Sequence, residues 1–266
     1  MSDAIVLQHS PAFGAGRLIA GLSEFGIPVK IRRLFSGDEV PMDLDEIRTL
    51  IVLGGPMRVG DIETDKYPFL KKEVELLQRL IAIDRPVLAI GLGAQLLAHA
   101  AGAKVYPNAR PGATKTDPPV ETPELGWGPI TLPFPGGTEP MVMGLADGTP
   151  MFHWHWDTFD LPKLPPPPGW ASGGPPPPSG NALLCSSRLC KNQAFRFKTR
   201  LFGFQFHFEF TTTEIDSVLS ADKEGVKVLG PEGEKQIRDQ TAKNMPRYAR
   251  MGDRIVKNFV QFTKTY

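Results

Sequence analysis

Strand-like apolar runs alternate with amphipathic helical segments along this chain. That alternation predicts an α/β fold: a mostly parallel sheet with helices on both faces and a smaller antiparallel portion. Three observations carry the prediction. Short unbroken apolar runs at residues 4–8, 49–53 and 86–90 suit strands buried on both faces. Helix-period stripes follow them. From about residue 130 onward, further short strands are joined by turns instead of helices, so some of them should pair antiparallel.

Taken in order, residues 4–8 give the first buried strand. A helix should start near Gly16, with Leu18, Ile19, Leu22 and Phe25 on one face and Gly26 as its stop. Residues 29–34 alternate apolar and basic side chains, as a strand near a sheet edge does. Residues 49–53 form another strand, ending in Gly54-Gly55-Pro56. Residues 69–83 read as a helix because Leu70, Val74, Leu77, Leu80 and Ile81 form one stripe. Residues 86–90 are a strand that runs through Gly91-Leu92-Gly93 into the helix of Gln95, Leu96, Leu97 and Ala98. Strand candidates in the second half are 129–132, 151–153, 182–186, 193–197 and 201–206. The tail is helical, with Tyr248, Met251, Ile255, Phe259 and Phe262 facing the sheet.

Residues 1–266 are read as a single domain carrying a Pro/Gly-rich insertion at 163–180. Two four-proline runs, starting at Pro165 and Pro175, favour polyproline II and cannot donate to a sheet. The insertion reads as an extruded surface loop, or as a surface for a proline-recognising partner. A net charge of +1 gives no reason to expect nucleic acid or an anionic membrane. No run is apolar enough to cross a bilayer and no signal peptide is evident, so the expected compartment is the cytoplasm. Two cysteines, Cys185 and Cys190, are too few for a disulfide framework and are expected reduced.

Chemistry in such a sheet is expected beyond the carboxyl ends of the strands. There Ala89-Ile90-Gly91-Leu92-Gly93 has the form of a nucleophile elbow, in which a tight turn lifts its central residue to a helix N-terminus. Its central residue here is glycine. In Gly203-Phe204-Gln205-Phe206-His207-Phe208-Glu209, the two-residue strand period aims His207 and Glu209 to one side. A carboxylate beside an imidazole sets up a general base. In Gly54-Gly55-Pro56, a backbone N–H could approach a ligand closely, as an oxyanion hole requires. Taken singly, the elbow and the glycine pair also read as ordinary turns, and the His–Glu pair as a structural contact.

Their combination and order resemble the class I glutamine amidotransferases, in particular the stand-alone group akin to the amidotransferase subunit of GMP synthase. The resemblance spans nearly the whole chain. It includes Leu53-Gly54-Gly55-Pro56-Met57, Tyr67-Pro68-Phe69-Leu70, Gly93-Ala94-Gln95-Leu96-Leu97-Ala98, Gly126-Trp127-Gly128-Pro129, His153-Trp154-His155, Asp157-Thr158-Phe159-Asp160-Leu161-Pro162, Asn192-Gln193-Ala194-Phe195 and Gln205-Phe206-His207.

The resemblance implies a flavodoxin-like sheet and a Cys–His–Glu triad that releases ammonia from glutamine through a thioester. His207 then corresponds to the base and Glu209 to the acid that orients it. Gly55 and the N–H of Leu92 correspond to the oxyanion hole, Gln95 to a residue beside bound glutamine, and Gly91 to the cysteine. No cofactor and no metal are implied. The implied partners are a small-molecule amide, such as glutamine or a γ-glutamyl compound, and a synthase.

Gly91 cannot form a thioester, so the resemblance predicts a preserved fold with silenced glutaminase chemistry. Gly91 reads either as natural drift or as a deliberate inactivation; the insertion and Trp156, which departs from the family where glycine follows His-Trp-His, favour natural divergence. The Trp156 indole is expected either in the space left by the missing thiol and substrate or on the surface beside the proline-rich loop. His153 and His155 have the i, i+2 spacing of metal ligands, but no third ligand is evident, so structural roles are the reading. His9 and His99 carry no signal. Two other functions stay open: hydrolysis by a water activated at His207 and Glu209, and a scaffold acting through the proline-rich loop.

Overall fold

The computed structural model describes residues 3–112, 117–164 and 180–263. The four-proline runs therefore lie outside the described residues. The chain begins with strand β1 (Asp3–Gln8), helix α1 (Leu18–Ser23), β2 (Val29–Arg33), β3 (Ile47–Val52), helix α2 (Phe69–Ala82), β4 (Val87–Ile90) and helix α3 (Leu92–Ala100). Short strands β5 (Val105–Pro107), β6 (Ala109–Arg110) and β7 (Val120–Glu121) follow. Then come the longer β8 (Glu124–Ile130) and β9 (Thr149–His155), followed by β10 (Asp157–Phe159). The final strands are β11 (Asn181–Cys185), β12 (Ala194–Phe197) and β13 (Leu201–Phe204), ahead of helices α4 (Thr212–Ala221) and α5 (Lys223–Thr263).

Seven strands form the main sheet in the order β11-β12-β13-β4-β3-β1-β2. The five strands from β13 to β2 pair in parallel, while β11–β12 and β12–β13 are antiparallel. The predicted mixture is therefore present, with the antiparallel portion at one edge. A separate ribbon of β8 and β9 lies against the sheet, bridged to it where the His207 N–H donates to Phe152 O at 2.8 Å.

Each face of the sheet has its own apolar core. On one side, β1, β3 and β4 pack with α2 and α3 through Leu50, Val52, Leu77, Leu80, Leu96 and Leu97. On the other, α1, α4, α5 and the ribbon pack through Leu18, Leu22, Phe152, Tyr248, Ile255 and Phe259. Two sharp features shape these layers. A Cβ on Gly93 would stand 2.3 Å from Val52 O, so α3 can lie this close to β3 only because that residue is glycine. Helix α5 is broken at Gly230 (φ 68°, ψ 172°), and Pro231 opens its long second part, where a missing N–H costs nothing.

Several sequence expectations need correction. The first helix is only six residues long, ending at Ser23. Leu18 and Leu22 are buried, but Ile19, inside the helix, lies off their face and is exposed, and Phe25 is exposed beyond the helix end. The strand expected at 129–132 starts earlier, at Glu124, and the one at 151–153 extends from Thr149 to His155. Long-range pairing between them overrides the turn-like Gly-Trp-Gly-Pro composition.

Candidate active site

The carboxyl ends of β1, β3, β4 and β13 converge on the turn after β4, at the point where the strand order reverses between β1 and β3. Gly91 occupies that turn with φ 57° and ψ −120° and caps α3. Few residues other than glycine adopt such dihedrals without strain. The Gly91 N–H is held by Phe204 O at 2.8 Å, which ties the turn to β13. Leu92 is the first residue of α3, so its N–H has no partner within the helix and points out of its N-terminus.

His207 and Glu209 lie just past β13, and the structure brings their side chains together. His207 Nδ1 is 2.7 Å from Glu209 Oε1, and both side chains are fully buried. Glu209 Oε2 also accepts the Phe208 N–H at 2.9 Å, which fixes the carboxylate. Since the carboxylate accepts, Nδ1 carries a proton, and in the neutral ring Nε2 presents its lone pair. That Nε2 is buried and has no hydrogen-bond partner. A Cβ on Gly91 would stand 3.4 Å from it and 3.2 Å from Cε1 of the same ring. Phe210 stacks on the imidazole at 3.9 Å between centroids, and Phe13 covers it at 5.7 Å.

Beside the dyad opens a pocket of about 100 Å³ lined by Phe13, Gly55, Leu92, Gln95 and Trp156, among others. Three of the sequence-predicted residues therefore share its wall. Gln95 is buried, and its Nε2 donates to Gln205 Oε1 at 3.3 Å. Gln205 in turn donates to Asp157 O at 2.7 Å. Trp156 does not take the place of the thiol itself, and the proline-rich runs of the alternative expectation lie outside the described residues. The groups nearest a Gly91 Cβ belong to His207 and Gly54, so the indole does not fill that space. It lines the pocket instead, with the Arg58 guanidinium 5.4 Å above its ring. Arg58 also pairs with Asp157 at 3.4 Å and Glu121 at 3.2 Å, so the mouth of the pocket is charged. Burial raises the Asp157 carboxyl above its ordinary pKa, against the opposing pull of Arg58.

Two groups of residues escaped the sequence analysis. His9 follows β1, and its ring faces Gly54 O (3.2 Å from Nδ1) and Glu73 Oε2 (2.9 Å from Nε2). Burial disfavours the His9 cation, but the carboxylate of Glu73 and the backbone carbonyls outweigh it, so the pKa of His9 is raised. The available signal was Glu73 itself, an acid on the same helical face as Leu70 and Leu77. The second group is Glu124, which lies with His153 and His155 in one buried cluster. Burial lowers the His153 pKa to about 4. Cys185 and Cys190 are both buried and unlinked, and burial pushes the Cys190 thiol up to about 11 and that of Cys185 higher still. Neither is near a reactive thiolate's pKa.

The sequence model of the family described as Glutamine amidotransferase class-I matches residues 15–224, a span that holds the elbow, the His–Glu dyad and all of the pocket lining except Phe13. The chain belongs to the class I glutamine amidotransferase family. This amidotransferase homologue is 23% identical over 249 residues to the putative glutamine amidotransferase-like protein YfeJ of Salmonella typhimurium, covering 93% of this chain and 91% of that one. It is 29% identical over 194 residues to a GMP synthase [glutamine-hydrolyzing] of Porphyromonas gingivalis, covering 73% of this chain but 29% of that protein. Its fold is similar to the crystal structures of a glutamine amidotransferase from Thermotoga maritima (TM-score 0.77, 22% identity, 99% of each chain) and of one from Methylobacillus flagellatus (TM-score 0.79, 22% identity, 100% of this chain and 97% of that one).

Proposed function

We propose that this family member does not hydrolyse glutamine through a thioester, because Gly91 stands at the nucleophile position, and that it keeps a pocket for glutamine or a γ-glutamyl compound. One observation carries the reading: the unpartnered lone pair of His207 Nε2 faces the space above Gly91, 3.4 Å from where a side chain would begin. The dyad is built as a base is built, and the group it would deprotonate is missing. Loss of a covalent nucleophile costs on the order of 10⁶-fold in kcat, leaving what binding and an oxyanion hole supply. Gly55 and Leu92 would supply that hole, and Gln95 would lie beside the ligand. Arg58 and the acids Asp157, Asp222 and Glu224 around the pocket offer both signs of charge, which suits a zwitterionic amino acid.

Hydrolysis by a water activated at His207 is disfavoured. The imidazole and Glu209 are fully buried, and Phe13 and Phe210 cover the ring. The match to part of a GMP synthase supports a synthase as partner, in which this chain would bind without delivering ammonia.

Calorimetric titration with L-glutamine, run beside an ammonia-release assay, tests the proposal. Saturable binding without ammonia is expected. Ammonia release that leaves a thioester-free protein would favour the water route, and absence of binding would overturn the retained pocket.

A further inference from the structure

The buried cluster on the β8–β9 ribbon meets the pocket only through His155 and stands whether or not the reading above holds. Glu124 lies directly opposite His155 in the antiparallel register, and Gly126 lies opposite His153. The two-residue period therefore puts Glu124, His153 and His155 on one face of the ribbon. All three are buried, at 7%, 0% and 3% exposure.

The hydrogen bonds around the two rings decide what that face presents. His155 Nδ1 lies 3.1 Å from Asp157 O, and His153 Nε2 lies 3.2 Å from Gly128 O. A carbonyl only accepts, so each of these nitrogens carries the proton. The other nitrogen of each ring, His155 Nε2 and His153 Nδ1, then holds a lone pair. Those lone pairs face the two oxygens of Glu124, at 3.5 Å for His155 and 3.7 Å for His153. His153 Nδ1 is buried and has no hydrogen-bond partner. Gln193 Nε2, which donates to Glu124 Oε2 at 2.6 Å and lies 3.3 Å from His155 Nε2, relieves the repulsion between lone pair and carboxylate at His155. At His153 a lone pair facing a carboxylate is relieved only by a cation. The separation of 3.7 Å is too long for a shared proton.

The metal-ligand pattern is complete in other respects. A ligating histidine donates its second N–H to a backbone carbonyl or a carboxylate, which fixes its tautomer, and both rings here do so. All three ligand atoms lie within 4.8 Å of one another. Tetrahedral zinc with bonds of about 2.0–2.1 Å places its ligands about 3.3 Å apart, so the two Glu124–His pairs, at 3.5 and 3.7 Å, would close by a few tenths of an ångström around the ion. Ser187 Oγ donates to Glu124 Oε2 at 2.8 Å and Gln193 Nε2 donates to the same oxygen at 2.6 Å, and these contacts fix the carboxylate. We propose that Glu124, His153 and His155 form a binding site for a divalent transition-metal ion, of which zinc is the test case. The fourth position falls to the Gln193 amide: its Nε2 now faces Glu124 and His155, and turning the amide over would present Oε1, buried and without a partner, to the ion.

Such an ion would pin the β8–β9 ribbon to the loop that carries Gln193 ahead of β12. It would lie behind the pocket wall that His155 shares. The test uses full-length protein stripped with a chelator and dialysed against zinc, with metal content measured by mass spectrometry and Co²⁺ absorption as a second readout. The expected result is about one ion per chain, tetrahedral Co²⁺ bands in the visible, and a higher Tm with zinc. Glu124→Gln keeps the shape and the hydrogen-bonding capacity of the site and should weaken zinc binding by more than about 100-fold. His153→Gln should do the same. His207→Gln and His99→Gln should leave binding unchanged. If Glu124→Gln binds as the parent does, or if His207→Gln abolishes binding, the assignment is wrong. A folded parent protein that takes up no zinc and shows no Co²⁺ bands would equally overturn it.

Discussion

A side chain introduced at Gly91 should destabilise the protein even where it fits. With φ at 57° and ψ at −120°, an L-residue there is strained by about 1–3 kcal/mol. Space adds a smaller penalty. A Cβ would meet His207 Cε1 at 3.2 Å and Gly54 Cα at 3.4 Å, so neighbours must yield by a few tenths of an ångström. For a chain of this size each kcal/mol shifts Tm by about 2–4 °C. Gly91→Ala and Gly91→Cys should therefore melt several degrees lower than the parent, and by similar amounts, since both add the same Cβ. Urea denaturation should show the same loss with an unchanged m-value. If either variant were as stable as the parent, the turn would not be strained and the account of why glycine is tolerated there would fail. A loss confined to Gly91→Cys would show that the thiol, rather than the backbone, is the cause.

Three further outcomes follow from other parts of the molecule. Gly93→Ala would drive a Cβ to 2.3 Å from Val52 O and should cost about 1–3 kcal/mol in a urea melt through overpacking of α3 on β3. His9→Ala leaves Glu73 buried and unpaired and should cost about 3–5 kcal/mol. Because the folded pKa of His9 is raised above 6.5, the stability it contributes is fully present below that value and is lost as pH rises through the folded pKa. The gap between parent and His9→Gln should thus narrow toward alkaline pH, and a widening gap would contradict the pairing. Cys185 and Cys190 should resist a thiol reagent at pH 8 until the protein unfolds, since both are buried and their pKa values are raised.

Much of the frame could be read from residues close together in sequence. The runs behind β1, β3 and β4 are nearly pure apolar segments, which is what a strand covered on both faces requires. Helix α2 is declared by its stripe. His207 and Glu209 are two residues apart, so their meeting needed only local geometry. Features that depend on distant pairing were illegible. His9 and Glu73 are joined by the docking of α2 beside the end of β1, and Glu124 reaches His155 only through the register of the ribbon. Helix α4 was missed although its signal was local: Thr211 and Glu214 form a capping box, with the Thr211 N–H bonded to Glu214 Oε2 at 2.8 Å. Trp156 could not be placed from sequence because its position depends on Arg58, nearly a hundred residues earlier in the chain.

The central claim is that Gly91 alone separates this chain from covalent glutamine chemistry. Its most direct test is intact-protein mass spectrometry of the parent and of Gly91→Cys after rapid mixing with L-glutamine, with ammonia measured in the same samples. The account predicts no adduct and no ammonia from the parent, and a glutamyl thioester with ammonia release from Gly91→Cys. Ammonia and an adduct from the parent would contradict it outright. A folded Gly91→Cys that neither forms the thioester nor releases ammonia would show that the pocket, with Trp156 at its wall, has diverged as well.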